Sequence, residues 1–257
     1  IGRGIDGGKN SFYPIMLCTS AAIVLKAFRY KETSAIVHLY TSEFGRIAAI
    51  MNGVYQSSGK KRSRASLLQP LSLIDIEVYF REKNSLHRLK TIQPGHIFSS
   101  IHFQIKKNTI TMFIAEVLQQ VIKEEEQNRP LYDFLHHTIM MLDENESGIE
   151  NFHLKFLVEL SRFLGFFPQN NFTPHTKCFD LRKGYFTAGN DPNFCMDAAL
   201  SQTMHQLLEN KLSHIENIII NKQQRKEMLK SLLNYYYYHL EEMQPLKSVD
   251  ILQQLFE

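Results

Sequence analysis

Between Thr19 and about Ile97, apolar and polar positions alternate in five short runs: TSAAIVLKAFRY, SAIVHLYTSEFG, RIAAIMNGVY, LSLIDIEVYFRE and LHRLKTIQPGHI. Each is rich in Ile, Val, Leu or Tyr and is bounded by Gly, Ser, Asn or Lys clusters, which predicts strands joined by turns. The fourth run shows the period most cleanly. Leu73, Asp75, Glu77 and Tyr79 oppose Ile74, Ile76, Val78 and Phe80, so one face is apolar and the other mostly polar. Five short antiparallel strands predict a small barrel rather than a sandwich, because closing the sheet leaves no unpaired edge.

Beyond Phe98 the period lengthens. Ile110, Phe113, Ile114, Val117, Leu118, Val121 and Ile122 recur at steps of three and four, predicting a helix over Asn108 to Glu126. Arg129-Pro130 interrupts the pattern, and it resumes over Leu131 to Leu142 and Phe152 to Phe163. Gly165 and Pro168 end it. Residues 168–195 read as irregular, and Met196 to Leu208 and Lys222 to Glu242 as helical again. The fold class is therefore α+β: a five-stranded barrel over 16–97, then a helical domain over 98–167 and 196–257 with an inserted irregular segment. Residues 1–15 hold four of the twelve glycines and lack apolar periodicity, so they read as a leader segment outside the fold.

Charge divides the chain. From Met16 to Lys107 there are 14 Lys and Arg against 5 Asp and Glu, and from Asn108 onward 13 against 20. The net charge of +3 hides this asymmetry, which points to different partners for the two regions or to their mutual attraction. The densest run is Lys60-Lys61-Arg62-Ser63-Arg64, between the third and fourth strands at a barrel rim. Lys26, Arg29, Lys31, Arg46, Arg81, Lys83, Arg88 and Lys90 belong to the same sheet, so several should share one face. Such a face suits backbone phosphates, since each neutralised phosphate releases counterions. Tyr30, Tyr55 and Tyr79 are candidates for stacking on unpaired bases.

Other chemistries fall away. Three cysteines, Cys18, Cys178 and Cys195, are too few and scattered for a disulfide framework, which suits a reducing, cytoplasmic setting. No apolar run reaches the roughly 18–20 residues that span a bilayer, so no membrane partner is expected. His175-x-x-Cys178 with Cys195 offers at most three zinc ligands, and adjacent His136 and His137 point apart on a helix. No phosphate loop, nucleophile elbow or dinucleotide turn is present. Glu124 to Glu126 and Asp143-Glu144 read as solvated helix ends. Of Tyr235 to Tyr238, at most two can face a core, with hydroxyls at the surface. No catalytic residue and no cofactor are expected.

The run AAIVLKAFRYKETSAIVHLYTSEFGRIAAIMNGV, the basic Gly59-Lys60-Lys61-Arg62 loop and Leu68-Gln69-Pro70-Leu71 together resemble the amino-terminal domain of the bacterial recombination mediator RecO family. The likeness continues through Leu160-Ser161-Arg162-Phe163-Leu164-Gly165-Phe166-x-Pro168, through Phe179-Asp180-x-x-x-Gly184-x-Phe186, and to Leu246-Lys247-Ser248. It implies an oligonucleotide-binding (OB-fold) barrel and a helical domain. It implies a non-enzymatic, cytoplasmic and nucleoid-associated mediator of DNA repair and homologous recombination. Such a mediator binds single- and double-stranded DNA, anneals strands, and works with RecR to load RecA onto DNA coated by single-strand-binding protein. The acidic, Phe-terminated tail of that last protein is a further implied partner, with Arg162 as the candidate contact. Many relatives carry a four-cysteine zinc module where this chain has residues 168–195. Here the first C-x-x-C is missing, so the segment is expected to be metal-free and held by Phe172, Phe179, Tyr185 and Phe186. The phosphate contacts taken forward are Lys26, Arg29, Lys31, Arg46, Lys60, Lys61, Arg62, Arg64, Arg81 and Arg88. An RNA-binding barrel and a protein-interaction adaptor remain the alternatives.

Overall fold

Five strands stand where the alternation places them: β1 (Met16–Tyr30), β2 (Ser34–Thr41), β3 (Gly45–Met51), β4 (Leu73–Phe80) and β5 (His87–Pro94). They come from a computed structural model that describes residues 14–55, 64–189, 191 and 193–256. Lys60, Lys61 and Arg62 lie outside the described residues, as does most of the leader segment. The sheet closes in the order β1-β2-β3-β5-β4. One expectation is corrected: β3 and β5 pair in parallel, through Ala49 with His87 and Ile50 with Arg88. An odd number of strands that otherwise alternate in direction cannot close without one parallel seam.

β1 is long enough to serve both sides of the barrel. Its first half pairs with β4 and its second with β2, and a bulge between Val24 and Lys26 turns it from one to the other. Inward residues, among them Ala22, Val24, Val37, Leu39, Ile47, Ile76, Val78 and Leu89, fill the barrel. One outward cross-strand row runs Phe28, Ile36, Ile50, Arg88, Tyr79 and Leu17. It returns to β1 eleven residues before its start (28 minus 17), the stagger of a strongly tilted small barrel.

The helices are α1 (Ile105–Val121), α2 (Arg129–Glu144), α3 (Phe152–Phe163), α4 (Ala198–Glu209), α5 (Lys222–His239) and α6 (Ser248–Phe256). Ile110, Phe113, Ile114, Val117 and Leu118 of α1 share one core with Ile23, Leu25 and Tyr40 of the barrel wall, so barrel and helices pack as one body. Each fully buried side chain of this kind stabilises by about 1.5–3 kcal/mol. α1 ends earlier than the apolar period suggests. Acidic residues at 124–126 suit a helix C-terminus poorly, and the strand wall draws them away: Arg46 N–H donates to Glu124 O at 3.0 Å. Gly45, at φ +63°, makes room, because a Cβ there would lie 2.2 Å from Glu126 O. α6 went unrecognised in the sequence; it lies against α1, where Glu116 accepts from the N–H groups of Lys247 (2.9 Å) and Ser248 (2.8 Å).

Asp143 corrects a second expectation, for it is buried. Its carboxylate accepts from the N–H groups of Ser99, Ser100 and Ile101 at 2.8–2.9 Å, pinning the chain that leaves the barrel. Burial alone would raise this carboxyl; the backbone bonds of Ser99, Ile101 and Ser100 outweigh it and hold it far below the usual range. Lys107, equally buried, donates to Ser100 Oγ (2.7 Å) and Asp143 O (2.6 Å). Tyr235 and Tyr236 are the two core-facing tyrosines of their run, but their hydroxyls are used inside, donating to Phe166 O and Leu157 O.

Candidate nucleic-acid interface

Successive outward rows of the β1–β2–β3 wall meet different surroundings. The row Ile23, Tyr40, Arg46 is covered by helices: Ile23 and Tyr40 are buried, and the Arg46 guanidinium donates to Gln119 O at 3.0 Å and also to Ile122 O, at the C-terminus of α1. Arg46 was expected among the phosphate contacts, yet its donors cap a helix instead. The next row, Lys26, His38 and Ala48, lies at the rim. Beyond it Phe28, Ile36, Ile50 and Arg88 stand on the open wall, Phe28 41% exposed.

This wall joins cations to flat apolar surface. The Phe28 and His38 rings stack at 5.9 Å. Burial lowers the His38 pKa, and the nearby charges of Arg46 and Lys26 lower it further, which places both cations within electrostatic reach of one imidazole. Phe28 and His38 were missed in the sequence. The signal was the two-residue period, which puts Phe28 on the same face as Lys26 and Tyr30.

The remaining candidates ring the barrel ends. At the β1–β2 turn Lys31 has φ 58°, and its Nζ lies 5.5 Å from the Tyr30 ring centre. Arg29 donates to Glu32 O at 2.7 Å and sits 5.2 Å from the centre of Tyr55, which is half-buried against the barrel core. Tyr55 is the last described residue before the Lys60–Arg62 stretch, and the exposed Arg64 opens the short 3-10 helix Arg64–Leu68 after it. Tyr79 is cross-strand from Arg88 and exposed, whereas Arg81 is half-buried at the end of β4. Lys90 belongs elsewhere: it pairs with Glu77 at 3.5 Å, on a flank where Glu43, Asp75 and Glu77 line a cleft of about 840 Å³. The barrel thus has a basic, aromatic wall and an acidic one.

A second charged groove lies between α5 and α6. Leu229, Leu252 and Phe256 border a cleft of about 630 Å³ with Lys222, Arg225 and Lys226. It is bordered as well by His153, which is 1% exposed and whose Nδ1 has no hydrogen-bond partner among the described residues. Burial, with the charge of Arg225 added, lowers His153 to about 3. A smaller cleft of about 440 Å³ follows with Lys230, Tyr237 and Val249. Arg162 is at neither: its guanidinium carbon lies 3.6 Å from the Phe167 ring centre, and the group pairs with Glu159 at 3.6 Å.

The 168–195 segment holds a hairpin of β6 (Cys178–Asp180) and β7 (Tyr185–Thr187). Phe179 and Phe186 pack edge to face at 5.1 Å, and Phe172 and Phe186 at 5.2 Å. The cysteines were expected to be too few and scattered for a disulfide framework, but Cys195 is disulfide-bonded to Cys178, because the fold brings the two ends of this segment together. That bond removes the only cysteine ligands here, and no three His, Cys, Asp or Glu gather as a metal set among the described residues. The donor set does not fit zinc. Among the described residues no helix is long and apolar enough to cross a membrane.

The family model described as "Recombination protein O N terminal" matches residues 16–98, and "Recombination protein O C terminal" matches residues 102–250. DNA repair protein RecO of Flavobacterium psychrophilum is 33% identical over 247 residues, covering 94% of this chain and 100% of that protein. RecO of Bacteroides fragilis is 34% identical over 245 residues, again with 94% and 100% covered. At 29% over 249 residues, RecO of Porphyromonas gingivalis has the same coverage. With both halves matched and relatives aligned along nearly its whole length, the chain belongs to the RecO family of DNA repair and recombination proteins.

Proposed function

We propose that this protein is a non-catalytic mediator that holds single- and double-stranded DNA on the open β1–β2–β3 wall, anneals complementary strands, and with RecR helps load RecA onto DNA coated by single-strand-binding protein. The observation that carries the reading is the wall itself: Lys26 stands beside an exposed Phe28 that is stacked on His38, Arg88 lies in the same row as Phe28 beyond Ile36 and Ile50, and Tyr30 and Lys31 lie at the end of β1. Cations beside flat rings suit a single strand, whose phosphates need charge and whose bases need a surface. Arg29 and the exposed Arg64 extend the positive rim, and Arg81 stands at its far side; Lys60, Lys61 and Arg62, outside the described residues, are proposed to add phosphate contacts by their charge. Annealing follows from screening, since a cationic wall that holds two strands lowers their mutual repulsion.

The α5–α6 groove suits the implied acidic, Phe-terminated tail. Leu229, Leu252 and Phe256 offer an apolar bed for an aromatic side chain, and Lys222, Lys226 and Lys230 offer charge for carboxylates. This reading moves the tail contact from Arg162 to α5.

Titration of a fluorescent single strand at several salt concentrations tests the DNA reading. With about six phosphates neutralised, log affinity falls against log salt with a slope near −4. A flat response, or full affinity after Lys26→Glu with Arg88→Glu, overturns it. Competition by matched RNA separates an RNA module, and no binding to bare oligonucleotide would favour the adaptor.

A further inference from the structure

The open wall does not end at Lys26. That residue also borders a second hollow, a cleft of about 330 Å³ between β1, the 3-10 helix Arg64–Leu68, α1 and α6. Its bed is apolar and exposed: Met112 of α1 is 44% and Ile251 of α6 50% accessible. Cations stand at both of its sides, Lys26 on the barrel and Lys247 just before α6, and both are exposed. The one carboxylate among the described residues that line the cleft is already engaged. Glu116 accepts from the N–H groups of Lys247 and Ser248 and from the Ser248 hydroxyl at 2.5 Å. Burial would raise its pKa, but these bonds and the Lys247 charge keep it lowered. The acid that would otherwise repel a polyanion thus clamps α6 to α1 and holds Lys247 at the edge of the hollow.

We propose that this cleft is an extension of the DNA site: a single strand leaving the β1–β2–β3 wall passes Lys26 and lays an unstacked base on Met112 and Ile251, with Lys247 neutralising the following phosphate. The inference rests on the reading of the wall as the DNA site. The chemistry of the hollow selects the ligand. A base offers a flat apolar face for which the methionine sulfur is a favourable neighbour. The phosphates on either side of that base match cations on either side of an apolar bed. A duplex, with its bases stacked inside, presents no free base to such a cleft, so the site serves single strands alone. It also gives α6 a role that its packing on α1 does not by itself require.

The test uses the full chain with Lys247→Glu and Ile251→Glu, both surface changes, and with thermal melts confirming an unchanged fold. Fluorescence anisotropy is read with oligothymidines of about 6 and about 25 nucleotides and with a duplex of about 25 base pairs. The long single strand is expected to bind about 5- to 10-fold more weakly to either variant, the size of losing a single stacked base. The salt slope is expected to flatten by about 0.7 for Lys247→Glu. The short strand and the duplex keep wild-type affinity. Unchanged affinity of the long strand for both variants, or an equal loss for all three ligands, overturns the extension, the former leaving the cleft to a protein partner. Failure of the wall reading is seen separately, as wild-type affinity of the short strand for Lys26→Glu with Arg88→Glu.

Discussion

Lys107 and Lys26 carry the same charge, yet the helical body and the barrel use them in opposite ways. In the helical body two lysines are driven inside. Lys107 braces Ser100 and Asp143, and Lys155, 1% exposed, bonds Glu159 Oε1 at 2.5 Å and Leu207 O at 2.7 Å. On the barrel, Lys26 and Arg88 stay outside beside Phe28, Ile36 and Ile50. Arg46 marks the frontier, a barrel cation taken by helix carbonyls. Counting cations therefore says little about binding; what decides is whether the fold has already supplied each with an acceptor.

The largest effect that would break this contrast is on the inside. Asp143→Ala leaves three backbone donors unpaired and Lys107 without its neighbouring negative charge, so unfolding in urea should show a loss of about 3–5 kcal/mol. Because the folded Asp143 carboxyl is held below its unfolded value, its stabilisation is complete above about pH 4 and fades as pH falls further. An Asp143→Ala protein of wild-type stability would mean that the buried charges brace nothing. On the outside the reverse holds: Phe28→Ala is expected to weaken single-strand binding by about 1–3 kcal/mol in anisotropy titrations with little change in stability. A stability loss without an affinity loss would return Phe28 to mere packing.

A buried imidazole gives the other side of the same rule, for His153 Nδ1 has been supplied with no partner among the described residues. His153 stays neutral in the fold to about pH 3. Below about pH 6.5 the unfolded chain takes up a proton that the folded one refuses, so the stability present above that pH is lost as pH falls, by up to about 1.4 kcal/mol per unit. Denaturation at pH 7.5 and 5.5 reads the loss, and His153→Phe should reduce it. An unaltered pH dependence in that variant would show that His153 becomes charged without unfolding.

How far these features were legible depended on the range of the interaction behind them. The five strands and α3 follow from local period, and residues 152–163 are helical end to end as that period dictates. The partner of Cys195, the burial of Asp143 and the capping of α1 by Arg46 depend on segments that meet only in the closed fold; Arg46 and Gln119 are 73 positions apart. α6 was obscured because nine residues hold too few turns for a 3.6 period to declare itself. For the interface, cation identities were plain in the sequence, but which row of the wall the helices cover was not.

Lys90 offers the finest distinction. In the sequence it carries the same charge as Arg88, two residues away in the same strand, although only Arg88 was taken forward as a phosphate contact. In the fold the bulge between Glu77 and Val78 shifts the register, and Lys90 lies beside Glu77 on the acidic flank. An exposed pair of this kind contributes about 0.2–1 kcal/mol, so Lys90→Ala should barely move the melting curve. Its phosphate contribution should also be small, because Asp75, Glu77 and Glu43 repel a strand from that wall. Single-strand affinity is expected to stay within about twofold for Lys90→Ala, whereas Arg88→Ala should flatten the salt slope by about 0.7. Equal losses for the two would mean that the strand encircles the barrel, and the division into a binding wall and a repelling one would fail.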